Sequence, residues 1–193
     1  MLEFIEDGHQ YILNGSPVPS VTQCTSLLAD YSAIPAGVLA AAAEFGTHVH
    51  LATELWDQGE LVEEELDHAL IPYLDAWKSF VLESGFVYSH IESRIFSKHL
   101  RYAGTLDRVG FMNGKTVIID IKTPSVVHPS TGPQTAAYQF AHEEMTGEKI
   151  KGRYAVQLKG DGKYKLIPYT DKNDFNVFLC CLNIIKWRAN HGK

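Results

Sequence analysis

With 193 residues, 45% of them hydrophobic and 21% charged, the chain is long enough to bury roughly 70% of its unfolded surface, and it reads as one globular domain over 1–193. No apolar run approaches the ~20 residues of a membrane span, and MLEFIEDGHQ lacks the basic and apolar regions of a secretion signal, which argues against a membrane partner and for a cytoplasmic location. The net charge of −6 is uneven: residues 1–144 hold 7 Lys and Arg against 19 Asp and Glu, while residues 145–193 hold 10 against 4, so the basic end is either a phosphate-contacting surface or a plainly solvated one.

Residues 1–33 are expected to form a hairpin and a short helix. HQYILNGSPVPSVTQ turns at Asn14-Gly15, a pair that accepts the positive φ of a tight hairpin turn, and Ser20 or Thr22 can cap a helix through TQCTSLL. Residues 34–86 read as helical. The segment Ile34 to Gly59 is alanine-rich, with a proline near its start and a glycine at its end. A second helix is predicted through VEEELDHALIPYLDAWKSFVLESG, where the acidic run Glu63 to Glu65 suits the positive end of the helix dipole and needs no functional explanation. Residues 87–170 supply the strands VYSHIESRIFS, RYAGTLDRVGFM and KTVIIDIKT, then the helix PQTAAYQFAHEEMTG and the hairpin KGRYAVQLKGDGKYKLIPYT, turning at Asp161-Gly162. GDGK inside that hairpin lacks the spacing of a Walker phosphate loop and reads as a turn. Residues 171–193 close the chain with the helix KNDFNVFLCCLNIIKWRANH. This order predicts an α/β fold, a central mixed β-sheet flanked by helices. Cys24, Cys180 and Cys181 contain no C-x-x-C pair and read as buried thiols.

The chemistry concentrates in GTLDRVGFMNGKTVIIDIKT. Asn113-Gly114 is a strong signal for a two-residue turn, which sets Met112 opposite Lys115 and, counting back, Asp107 opposite Asp120 and Thr105 opposite Lys122. Facing carboxylates have Cβ atoms about 4.5–5.5 Å apart and at an effective dielectric near 20 repel by about 3 kcal/mol. Lys122 offsets part of that. A divalent ion between the carboxylates offsets more, and hard oxygen ligands on rigid strands suit magnesium or manganese. The alternative at this point is a structural Asp120–Lys122 ion pair with a solvent-facing Asp107.

Asp107 followed by Asp120-Ile121-Lys122 at the end of an apolar strand resembles the core of PD-(D/E)XK nucleases. FGTHVHLATE resembles the helix motif of RecB-type members, with His50 at the histidine position, and QTAAYQ matches their Q-x-x-x-Y motif at Gln134 and Tyr138. VPSVT is also similar to small phage-encoded members. The resemblance implies a restriction-endonuclease-like core and a deoxyribonuclease using one or two Mg2+ or Mn2+ ions, with an exonuclease of recombination, repair or phage DNA metabolism in a bacterial or phage-infected cell as the leading expectation. Asp107, Asp120, His50 and the main-chain carbonyl of Ile121 would then be metal ligands, Lys122 would orient or deprotonate the attacking water, and Gln134 and Tyr138 would position DNA. Glu92, where relatives often carry an acid, and Glu54, one turn after His50, are expected as supporting groups; a solvated Glu54 and a core Tyr138 are the plain alternatives. Iron–sulfur members of the family use one early and three late cysteines, so no cluster is expected here. DNA is the implied partner, with a recombination or single-strand-binding protein beside it, and the oligomeric state stays open. A non-catalytic DNA-binding protein, an endonuclease and a hydrolase of small phosphate esters are the competing readings.

Overall fold

The computed structural model describes residues 1–6, 8 and 10–192. His9, with which the expected opening hairpin begins, and Lys193, at the end of the closing segment, lie outside the described residues.

The N-terminal strands β1 (Leu2–Ile5), β2 (Gln10–Leu13) and β3 (Ser16–Val18) form a small antiparallel sheet. The β2–β3 turn is the expected one, with Asn14 and Gly15 at φ 52° and 75°. Ser20 caps α1 (Val21–Thr25): its hydroxyl accepts from the Gln23 amide while the Gln23 side chain accepts from the Ser20 amide. Tyr11, Leu13 and Val18 bury themselves against Ala103, whose amide donates to the Pro19 carbonyl at 3.1 Å, so this small sheet is fastened to the large one.

Helix α2 (Ala36–Gln58) follows a proline and stops at Gly59 in the left-handed conformation, φ 73°. The next helix begins later than the sequence suggested. Glu63–Glu65 is an isolated turn of 3₁₀ helix, and α3 runs from Ile71 to Ser84. Pro72 explains the correction: inside a helix begun at Val62 it would lack an amide to donate and would clash with the preceding turn, whereas in the first turn of α3 it costs nothing. The acidic run therefore does not sit at the α3 dipole. One of its members, Glu63, instead pairs with Lys78 at 2.6 Å.

The large sheet contains β4 (Val87–Ser97), β5 (Tyr102–Met112), β6 (Lys115–Lys122), β7 (Gly152–Leu158) and β8 (Tyr164–Pro168), in that spatial order. All neighbours are antiparallel except β6 and β7, which run parallel because α4 (Thr131–Thr146) crosses between them. The chain ends in α5 (Asp174–Asn190). Helices α1, α4 and α5 cover one face of the sheet, with Tyr102, Leu106, Ile118 and Phe178 at the centre of that core. Helices α2 and α3 lie toward the other, over Trp77, Phe80, Ile119 and Ile121. Cys24 and Cys181 are buried in the first core, and burial pushes the Cys24 thiol up to about 12. Cys180 is exposed, contrary to the reading of all three as buried, because adjacent residues on a helix cannot share its inward face.

The Asn113-Gly114 turn has both φ angles positive, 51° and 71°, and imposes the expected register from Met112↔Lys115 to Arg108↔Ile119. The next step would set Asp107 opposite Asp120. There the regular pairing ends.

A candidate metal centre between helix α2 and the end of the central strands

Where β5 and β6 stop pairing, side chain replaces ladder. Asp107 Oδ2 accepts the Ile121 amide at 2.6 Å, while the Ile121 carbonyl lies 3.1 Å from His50 Nε2 on α2. The other ring nitrogen, Nδ1, is 3.8 Å from both Asp107 Oδ1 and Glu92 Oε1. His50, Glu92 and Asp107 thus each offer one ligand atom, all within 4.8 Å of one another. Such a cluster of two carboxylates and an imidazole is the donor chemistry of a divalent-ion site.

Asp120 stands beside this group. Lys122 Nζ is 2.7 Å from its Oδ2, yet neither of its buried oxygens receives a hydrogen bond of ordinary geometry among the described residues. An acceptor left bare in the interior is costly. Burial pushes Asp120 up to about 6, and Asp107 adds repulsion that Lys122 only partly relieves. Asp107 is also raised, chiefly by burial and despite His50. Burial opposes charge on His50, but Asp107 and Glu92 together outweigh it and raise its pKa; Asp120 and Asp107 together outweigh burial in the same way at Lys122.

The structure therefore brings His50, Asp107, the Ile121 carbonyl and Glu92 together, with the Asp120–Lys122 pair alongside. Glu92, expected only in a supporting place, belongs to the ligand-capable group itself. Its backbone lies at φ 44°, which few non-glycine residues adopt and which requires the surroundings to hold it. Glu54 is not in the group; it accepts from Gln58 one turn along α2. Gln134 is half-buried at the start of α4 and donates to the Tyr138 hydroxyl at 3.1 Å. The Tyr138 ring is in the core against Gly104, where an added Cβ would meet Tyr138 Cε1 at 2.9 Å, so it presents no free face for stacking.

The sequence reading missed Arg108, which is fully buried. Its Nε donates to Asp57 Oδ2 at 2.7 Å, Nη1 to Glu92 Oε1 at 2.9 Å and to the Asp107 carbonyl at 2.8 Å, and Nη2 to Thr53 Oγ1 at 3.3 Å. Trp77 Nε1 donates to the second Asp57 oxygen at 3.0 Å. A guanidinium that ties α2, β4 and β5 in this way fixes where the Glu92 carboxylate points. The signal was present: an arginine inside the apolar stretch LDRVG needs partners as much as Asp120 does.

The sequence profile of the PD-(D/E)XK nuclease superfamily matches residues 27–175, a span that contains every residue of this site. No curated protein matches the chain significantly. Among solved structures, a provisionally named exonuclease from Eubacterium rectale is 12% identical with a TM-score of 0.48; the likeness covers 74% of this chain and 64% of that protein. An alkaline exonuclease from Laribacter hongkongensis is 17% identical with a TM-score of 0.36, over 67% of this chain and 78% of that one. The chain thus spans less than two thirds of the first of these proteins, and neither likeness is close enough to bear on activity. The profile match over most of the chain settles the family: with a mixed sheet that carries acids and a lysine at the end of its central strands, this chain belongs to the PD-(D/E)XK nuclease superfamily.

Proposed function

We propose that the chain is a divalent-metal-dependent deoxyribonuclease that removes nucleotides from DNA ends in recombination, repair or phage DNA metabolism. The observation that carries this reading is the convergence of His50, Glu92 and Asp107, with the Ile121 carbonyl on the other nitrogen of the His50 ring and a buried Asp120 held by Lys122 alone. That donor set fits a hard divalent ion, Mg2+ or Mn2+, which would relieve the crowding of three carboxylates that the protein's own cations leave incomplete. When bound, such an ion offsets charge on the scissile phosphate and acidifies water.

The rest is work for the chain's own residues. Asp107 and Glu92 hold their carboxylates in place through the Ile121 amide and Arg108. Lys122 keeps 23% of its side chain exposed 2.7 Å from Asp120, where its amine can orient the attacking water, take a proton from it and balance negative charge. Gln134 offers an amide toward the substrate, and Tyr138 acts by holding that amide. A single-strand-binding or recombination protein is the partner this role calls for.

The test is digestion of end-labelled linear DNA and closed circular DNA in Mg2+, Mn2+ and EDTA. Progressive loss from linear ends with the circle intact supports the reading. Cutting of the circle makes the protein an endonuclease, and DNA binding without cleavage in either ion refutes the catalytic assignment.

A further inference from the structure

Lys122 and Gln134 also line a groove of about 620 Å³ that leads away from the metal-capable cluster. One wall comes from the segment before α2 and its first turn, including Tyr31, Ile34 and Val38; the other comes from the loop after β6, including Val126 and His128. The Tyr31 and His128 rings stand 6.3 Å apart at 57° in this lining. Val126 is 77% exposed, Val38 58% and Tyr31 46%, an apolar surface left open by the described residues. Hydroxyl groups of Thr22, Ser26, Ser130 and Thr131 are interspersed.

The charge pattern is selective. Although the chain carries 23 Asp and Glu, no carboxylate is among the described residues lining the groove, and Lys122 is its one Lys or Arg. A surface that tracks a nucleic acid by its phosphates needs several cations. This groove has one, at the end where the site lies. Its occupant should therefore be anionic at that end and carry flat, weakly polar groups beyond it. The volume is that of a small-ligand cleft, too small to take in a stretch of duplex. A single strand can, with its bases against the aromatic and apolar walls.

We propose that the groove receives the unpaired terminal nucleotides of a single DNA strand, with the scissile phosphate at Lys122 and the bases against Tyr31, His128 and the valine-lined walls. The inference rests on the nuclease reading and adds the form of the substrate: a strand end that is single-stranded where it meets the site.

The experiment is fluorescence anisotropy of the full chain, in EDTA and again in calcium, with three probes: a short oligothymidylate, an abasic strand with the same number of phosphates, and a blunt duplex. The oligothymidylate should bind at least about fivefold more tightly than the abasic strand, since one stacked base is worth that much or more. The blunt duplex should bind more weakly than the oligothymidylate. Tyr31→Ala should remove most of the preference for bases, and Val38→Glu should weaken binding of the oligothymidylate, both without lowering the melting temperature, because both side chains are exposed. Equal affinity for the two single strands, tighter binding of the duplex, or indifference to both substitutions overturns the proposal. So does a change of sedimenting species with Val38→Glu, which would mean that a second copy covers the groove. Base-dependent binding without cleavage in Mg2+ or Mn2+ keeps the groove and removes the nuclease reading; cleavage without base-dependent binding does the reverse.

Discussion

Replacing Arg108 by methionine tests whether the site depends on the buried ion network behind it. Arg108 and Asp57 have no exposed side-chain surface, and Arg108 is the only guanidinium that Asp57 meets among the described residues. In Arg108→Met, Asp57 keeps the Trp77 bond alone. Burial already raises the Asp57 pKa and Arg108 is the main group holding it down, so the variant leaves a buried carboxylate to be protonated or endured. Removing one partner of a buried pair costs about 3–5 kcal/mol. For a chain of this size each kcal/mol lowers the melting temperature by roughly 2–4 °C, so a drop of about 6–20 °C is expected at pH 7 by calorimetry. The deficit has a sign in pH. Below the ordinary value of 3.8 Asp57 is protonated in both states and the loss is smallest; it grows as the pH rises and the unfolded carboxylate ionises while the buried one resists. Arg108→Met combined with Asp57→Asn should recover much of the loss, because it removes the charge along with its partner. The double variant should still bind Mn2+ more weakly than wild type, since Glu92 loses its anchor. A drop under about 2 °C for the single variant, or no recovery in the double, would refute the reasoning.

Lys122→Ala should retain Mn2+ binding by calorimetry and lose DNA cleavage by about a hundredfold to ten-thousandfold, the worth of a positioned proton-handling group; near-normal cleavage would return the lysine to a structural ion pair. Asp120 is raised from 3.8 to about 6, so the folded metal-free protein should lose stability as the pH rises through that window. Asp120→Asn escapes the penalty, and its melting temperature should exceed that of metal-free wild type above pH 6 but not below pH 3.8; a gap that stays flat with pH contradicts this. Gly104→Ala should destabilise the fold by about 1–3 kcal/mol in denaturant titration, since its Cβ would meet Tyr138 Cε1 at 2.9 Å and Val21 Cγ2 at 3.2 Å; an unchanged midpoint would show that the core yields there.

What the sequence made legible follows from local rules with few solutions. Asn113-Gly114 admits one kind of turn, and that turn fixes the pairing of β5 with β6 down to Arg108. Glu92 was expected only as a supporting group because its place depends on a departure from strand regularity. The register of β4 against β5 shifts between Tyr88 and His90, and the positive φ at Glu92 breaks the alternation from which a side chain's direction is inferred. Arg108 was overlooked for a different reason. Strand parity says which face a residue takes, but not that α2 and α3 bring Asp57 and Trp77 down onto it. The late start of α3 is written in Pro72, which fits only the first turn of a helix, whereas the acidic run suits a helix start without requiring one.

The double use of Ile121 gives the site a built-in reporter. Its amide is held by Asp107 and its carbonyl faces His50, while on the other side β6 stays in register with β7 through Asp120↔Ala155 and Ile121↔Val156. The strand is therefore steady along one edge and committed to side chains along the other. Any ligand that draws the Asp107 carboxylate toward itself must weaken the grip on that amide without displacing the strand. In a nitrogen–proton correlation spectrum the Ile121 resonance should move as Mn2+-free protein is titrated with Mg2+, ahead of any change at Val117 or Ile118. Occupancy of the centre could then be followed at one backbone atom, in the absence of DNA and of turnover.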